Sequence, residues 1–172
     1  MTSQVVESMI VEEKTEPEKP INREKTCPLL LRVFCNTGRH HNIMDYNGKN
    51  VPANELQIYT WMDATLRELT SLVKEVNPEA RRKGTIFDFA LVVPSDHMSR
   101  GYNMQGGFRA RDIGTTTSGV KGPDDSKTLS QVRFQIGDYM DIAITPPNMR
   151  VGPPMGMSAG GMPGQMRRGP RY

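Results

Sequence analysis

The chain has 172 residues, 36% hydrophobic and 24% charged, enough for one ordinary core with tails. Its net charge of +3 is uneven: residues 1–26 hold six acids and four bases, residues 148–172 four arginines and no acid, and residues 27–147 fourteen bases against thirteen acids. The nearly neutral middle argues against a broad phosphate-binding face on the folded part, and two cysteines, Cys27 and Cys35, do not make a disulfide framework.

The longest apolar run is far short of the ~20 residues that a membrane helix requires. Glu7, Glu12 and Glu13 stand where a secretory signal would need basic and then apolar residues, so no signal and a reducing compartment are expected. Residues 1–25 are polar and acidic and read as a flexible leader. Leu29–Cys35 (LLLRVFC) is a predicted strand with Leu29, Leu31, Val33 and Cys35 on one face and Leu30, Arg32 and Phe34 on the other. Asn36–Gly38 and Asn47–Gly48 are turn sequences, and His40–Tyr46 between them reads as a short returning strand. Gln57–Tyr59 is a further extended piece.

The clearest element lies within Glu55–Val76 (ELQIYTWMDATLRELTSLVKEV). From Met62, apolar residues recur at Leu66, Leu69, Val73 and Val76, one stripe of a helix widened by Leu72. Asp63 is the expected N-cap and ion-pair partner of Arg67, with Trp61 and Met62 folded against the first turn. Asn77–Pro78 ends the helix, and Pro78–Lys83 forms one further helical turn. Ile86–Val93 (IFDFALVV) is the second strong strand, with Phe87, Phe89, Leu91 and Val93 toward the core and Ile86, Asp88, Ala90 and Val92 away from it. Pro94–Gly107 is a loop, Phe108–Ile113 and Thr128–Phe134 are short strands, and Tyr139–Thr145 (YMDIAIT) is a strand with Tyr139, Asp141 and Ala143 on its outer side. Residues 148–172, rich in Gly, Pro, Met and Arg, are disordered by composition. The pattern predicts an α+β fold over 26–147, one helix across one sheet.

No residue grouping points to catalysis. Cys27, Cys35, His40, His41 and His97 have no metal-ligand spacing and no positioned catalytic partner. The glycine-bearing loops lack a Gly-Lys-Ser/Thr motif and a following helix. Asp124–Asp125 is a turn sequence. Arg150, Arg167, Arg168 and Arg171 in the tail are a weak candidate for RNA phosphate. The stronger signal is the second sheet face. One helix covers one face, so Leu30, Phe34, Ile86, Ala90, Val92, Tyr139 and Ala143, interrupted by Arg32, Asp88 and Asp141, must be covered by the Pro94–Ser126 loops or by a partner. On the partner reading, Phe34→Asp is expected to spare the fold.

The segments CPLLLRVF (Cys27–Phe34), ELQIYTWMDATL and FQIGDYMDIAITPPN (Phe134–Asn148) closely resemble the 18-kilodalton Sin3-associated polypeptide family, and the likeness runs from near Pro17 to about Asn148. The resemblance implies a ubiquitin-like β-grasp fold. It also implies a non-enzymatic adaptor of the nucleus, with nuclear speckles and some cytoplasm, linking the Sin3–histone deacetylase corepressor to target factors. Membership in a splicing-associated complex with Acinus and the RNA-binding protein RNPS, which meets the exon junction complex, follows from the same likeness. Such a subunit has no cofactor, no membrane contact and only indirect contact with RNA, and is monomeric until bound. Met98–Phe108 looks longer and richer in glycine than the family pattern, and the tail looks extended. The competing reading is an RNA-associated protein acting through its basic tail. A conjugated ubiquitin-like modifier is disfavoured because the chain ends Arg171–Tyr172 and would need processing after Gly161.

Overall fold

The computed structural model describes residues 19–47, 49–95 and 107–149. Five strands form one sheet: β1 (Leu29–Thr37), β2 (Glu55–Thr60), β3 (Ile86–Pro94), β4 (Phe108–Thr117) and β5 (Tyr139–Thr145), in the order β2-β1-β5-β3-β4. β1 runs parallel to β5, and every other neighbouring pair is antiparallel. One α-helix, α1 (Leu66–Val76), follows β2 and lies across one face. This mixed sheet with a single helix is the ubiquitin-like β-grasp architecture, as the strand and helix pattern predicts.

The helix stripe decides which sheet face is core. Leu66, Leu69 and Val73 are fully buried against Leu31 and Val33 of β1, Phe87, Phe89 and Leu91 of β3, and Met140 and Ile142 of β5. Thr70 sits in the same interface, its Oγ1 2.8 Å from the Leu66 carbonyl oxygen and 2.6 Å from Thr116 Oγ1 on β4. A register shift between Phe89 and Ala90 leaves Ile113 as an extra residue on β4 and turns it into this core.

The helix begins two residues later than expected. Thr65, not Asp63, is the N-cap, its Oγ1 accepting from the Glu68 amide at 3.2 Å. The Leu66 and Arg67 amides donate to the carbonyls of Lys127 and Asp125, so a distant loop satisfies donors that local sequence would leave free. Arg67 accordingly pairs with Asp125 (3.0 Å), and Asp63 with Arg23 (2.9 Å), a residue within the stretch expected as leader. Arg23 also meets Glu68 and lies 5.2 Å from the Trp61 ring centre. At the other end Arg81 donates to the carbonyls of Lys74 and Glu75, closing the helix terminus.

Two expected strands are absent from their positions. Within His40–Tyr46 the chain forms a 3₁₀ turn, Ile43–Asp45, capped by Asn42 Oδ1 accepting from the Met44 amide. A returning strand had nowhere to pair, because β2 and β5 occupy both edges of β1. Thr128–Phe134 is a turn that sends Leu129, Val132 and Phe134 into the helix-side core, tied to the chain before α1 by Leu129 N to Ala64 O and Ser130 N to Met62 O. The expected turn at Pro78–Lys83 is a 3₁₀ helix, Pro78–Arg81.

Leu69→Ala should lower the unfolding free energy by about 2–5 kcal/mol, because it empties the centre of the helix–sheet interface. Thr65→Ala should cost about 1 kcal/mol as the loss of a cap. Urea denaturation of the two variants beside Asp63→Ala checks both values. An Asp63 variant that loses the capping energy while Thr65→Ala does not would contradict this assignment.

Candidate functional site: the outer face of the sheet

Alternation along the strands puts Leu30, Arg32, Phe34, Ile86, Asp88, Ala90, Tyr139 and Asp141 on the face opposite α1. The structure does not leave that face open as one patch. Residues 38–47 and 49–54 cross its middle as a strap, and Phe34, Ala90, Val92 and Asp141 beneath it are 2% exposed or less. Phe34 therefore belongs to a second core and is not an accessible contact residue, and Phe34→Asp would bury a charge. Among the described residues the cover comes from Ile43, Tyr46 and Val51 of the strap, with Phe108 from the Pro94–Ser126 stretch.

The packing under the strap is aromatic. Phe34 meets Tyr46 and Tyr139 edge-on, with ring centres 5.4 and 5.7 Å apart, and Tyr46 stacks on Tyr139 at 5.7 Å. At its centre lies the carboxylate of Asp141. Its Oδ2 accepts from Tyr46 Oη (2.7 Å), the His41 amide (3.1 Å) and His41 Nδ1 (3.1 Å), and its Oδ1 faces His40 Nδ1 at 3.3 Å. The strap is thus anchored at both ends of its first half to one buried acid.

These contacts set the local titration. Burial alone would raise the Asp141 carboxyl, but hydrogen bonds from His40 and Tyr46 and the nearby His41 outweigh it and hold the group below its ordinary range. The hydrogen bond to Asp141 raises His40 despite its partial burial. Burial, reinforced by the same carboxylate, lifts the Tyr46 phenol and pushes the Cys35 thiol up to about 12, so Cys35 is a poor nucleophile. Among the described residues no group of three or more His, Cys, Asp or Glu side chains forms a metal site, and no helix is long and apolar enough to cross a membrane.

The strap divides what remains open. On one side lie Leu30, Arg32 and Tyr139, all half-buried, with Tyr59 of β2 beside Leu30 and 67% exposed. Arg32 grips Glu55 through two hydrogen bonds of 2.6 and 2.7 Å, and its guanidinium lies 4.9 Å from the Tyr139 ring centre. That pairing raises Arg32 and lowers Glu55, and holds the guanidinium over the ring. On the other side are Ile86, 38% exposed, and Asp88, which accepts from Thr115 Oγ1 at 2.7 Å. Tyr59 escaped the sequence reading, although the alternation of ELQIYT, with Ile58 and Thr60 buried, carries the signal. Arg150, Arg167, Arg168 and Arg171 lie outside the described residues.

Fold and surface together define a ubiquitin-like domain whose second sheet face is closed by its own strap and flanked by a half-exposed aromatic shoulder. Residues 20–144 match the family described as Sin3 associated polypeptide p18 (SAP18), and the chain belongs to that family. It is 62% identical to the histone deacetylase complex subunit SAP18 of Drosophila melanogaster over 143 residues, 83% of this chain and 90% of the relative. The Homo sapiens protein of the same name is 62% identical over 154 residues, 88% and 95% of the two chains. An Arabidopsis thaliana relative of that name is 53% identical over 135 residues, 76% and 82% of the two.

The strap should be pH-sensitive. His40, raised by its partner, contributes fully below about pH 6.5, and this is lost as pH rises through its higher folded value. Asp141, lowered, contributes above about pH 4 and loses it as pH falls through its lower folded value. Asp141→Asn should cost about 1–3 kcal/mol and flatten the fall in stability as pH rises from about 6.5 through the raised His40 value. Denaturation across that interval checks it, and an unchanged slope would detach His40 and Asp141 from the response.

Proposed function

We propose that this chain is a non-enzymatic adaptor subunit of a nuclear histone deacetylase corepressor complex of the Sin3 type, acting in transcriptional repression through protein–protein contacts. The observation that carries this reading is the alignment, across nearly their whole length, with relatives named as histone deacetylase complex subunits. The architecture agrees with it. A small β-grasp domain with two filled cores has stability enough to present a surface, and the shoulder of Leu30, Tyr59, Arg32 and Tyr139 is apolar, aromatic and stiffened by the Arg32–Glu55 pair. Such side chains fill the centres of protein interfaces. Ile86 and Asp88 form a smaller second patch beyond the strap. Association with Acinus and RNPS in a splicing-linked complex is the further part of the proposal, supported by the family resemblance and by the same surface economy: one domain with separate exposed patches can engage two scaffolds.

The test is capture from nuclear extract on the full chain and on a Leu30→Asp/Tyr59→Asp variant. Leu30 packs into neither core and Tyr59 is on an edge strand, so the variant should melt within a few degrees of the parent. Deacetylase-complex proteins should be retained on the parent and depleted about ten-fold on the variant, as loss of a central contact pair implies. Equal capture on both would move the interface away from this shoulder. Failure to capture any such protein on the parent would count against the adaptor reading itself.

A further inference from the structure

A second candidate site lies on the other side of the sheet, at the β4 edge. The register sets Arg109 opposite Val93 and Arg111 opposite Leu91, whose side chains belong to the helix-side core, so both arginines rise on that side. Facing them is Arg133, carried by the turn that replaces the expected strand at Thr128–Phe134. With Val93, Pro94 and Asp138, the three arginines line an open concavity of about 340 Å³.

Among the described residues no carboxylate pairs with these three side chains. Arg111 Nη2 donates to the Val132 carbonyl at 2.6 Å, which fixes the turn to β4. The Arg109 and Arg133 side chains have no hydrogen bond or ion pair among the described residues. By contrast Arg23, Arg32 and Arg67 meet carboxylates at 2.9, 2.6 and 3.0 Å. Asp138, the one acid of the lining, accepts the Gln135 amide at 3.0 Å, so positive charge remains in excess.

Arg133 is also held in an unusual conformation, with φ at +56°. Phe134 N donates to Leu129 O and Arg133 N to Ser130 O, both at 2.9 Å. This is the closure in which a glycine ordinarily occupies the left-handed position. An arginine there carries a steric cost that a glycine would avoid, and the side chain it supplies points to a use.

The adjacent strand edge is half free. The 122–127 loop takes the C-terminal part of β4, where Thr115 N donates to Asp124 Oδ2 and Lys127 Nζ to Ile113 O. Phe108–Asp112 has no neighbouring strand on its outer side among the described residues. We propose that the concavity and this open half-edge form a docking site for an extended acidic peptide segment of a partner protein. The segment adds to β4 by backbone hydrogen bonds and sets alternate carboxylates against Arg109, Arg111 and Arg133. RNA fits less well: no aromatic side chain lines the concavity to stack a base, and the folded part is nearly neutral. The inference rests on the adaptor reading and gives it a second contact of defined chemistry.

Fluorescence anisotropy of the full chain tests it, with a labelled peptide of alternating glutamate and valine as probe. The glutamine counterpart of that peptide and a labelled oligouridylate are the comparisons. The acidic peptide should bind saturably, its glutamine counterpart about ten-fold more weakly, and Arg109→Gln/Arg133→Gln should weaken the acidic peptide by a similar factor. Lys49→Gln, an exposed control, should change nothing. Absence of saturable binding, or equal binding to parent and double variant, overturns the site. Tighter binding of oligouridylate that is lost in the same variant overturns the peptide reading in favour of nucleic acid. Nuclear-extract capture on the double variant separates the two proposals, because deacetylase-complex proteins captured through the Leu30–Tyr59 shoulder survive even where the arginine site fails.

Discussion

A single helix can cover only one face of a five-stranded sheet, and that constraint shapes the rest of this molecule. β1, β3 and β5 carry large apolar residues on both faces, so the face away from α1 had to be closed by something. The chain closes it with about one and a half dozen residues between β1 and β2, too few for a second helical layer. Economy of this kind demands a strong anchor, and Asp141 supplies one. A carboxylate 2% exposed beneath the strap would be costly on its own, yet it collects Tyr46, His41 and His40 from a single short segment. The penalty of burying the charge favours this placement of the strap, because Tyr46, His41 and His40 together satisfy it.

The strap's position also determines where partners can reach. It crosses the middle rows of the sheet and leaves the two ends. The aromatic cluster beneath it extends outward through Tyr139, which contacts Phe34 and Tyr46 below and Arg32 at the surface. The exposed shoulder is therefore continuous with a packed interior, so its side chains lose little freedom on binding. Preorganisation of this sort improves affinity without added area.

Period and composition were sufficient for the architecture. The four-three spacing from Met62 gave the helix, and strict alternation in LLLRVFC, IFDFALVV and YMDIAIT gave the three central strands and the correct inward face of each. What alternation cannot reveal is cover. It identifies Phe34 as facing away from the helix, and is silent on whether Tyr46 then lies over it. The cap failed for a similar reason: Asp63 has the right chemistry in the right place, but Arg23 claims it and the loop carbonyls of Asp125 and Lys127 take the helix amides. Both cases are tertiary contacts between residues far apart in sequence, and a local pattern holds no record of them. Tyr59 is different. Its exposure was readable from the ELQIYT alternation, and the short length of the segment hid it.

The turn at Thr128–Phe134 links these themes. Its apolar residues suggested a strand, and their burial in the helix-side core is real, but the spacing Leu129, Val132, Phe134 suits a tight turn that drops three side chains into one gap. Such a turn needs a left-handed residue to close, and selection for folding alone would favour glycine at that position. Arg133 occupies it instead, opposite two arginines on β4 and beside the half of that strand which the 122–127 loop leaves bare. Folding explains Leu129, Val132 and Phe134 completely and gives no reason for Arg133. A residue that strains its own turn to place a charge where two like charges already stand is accounted for by an anion that comes from outside the chain.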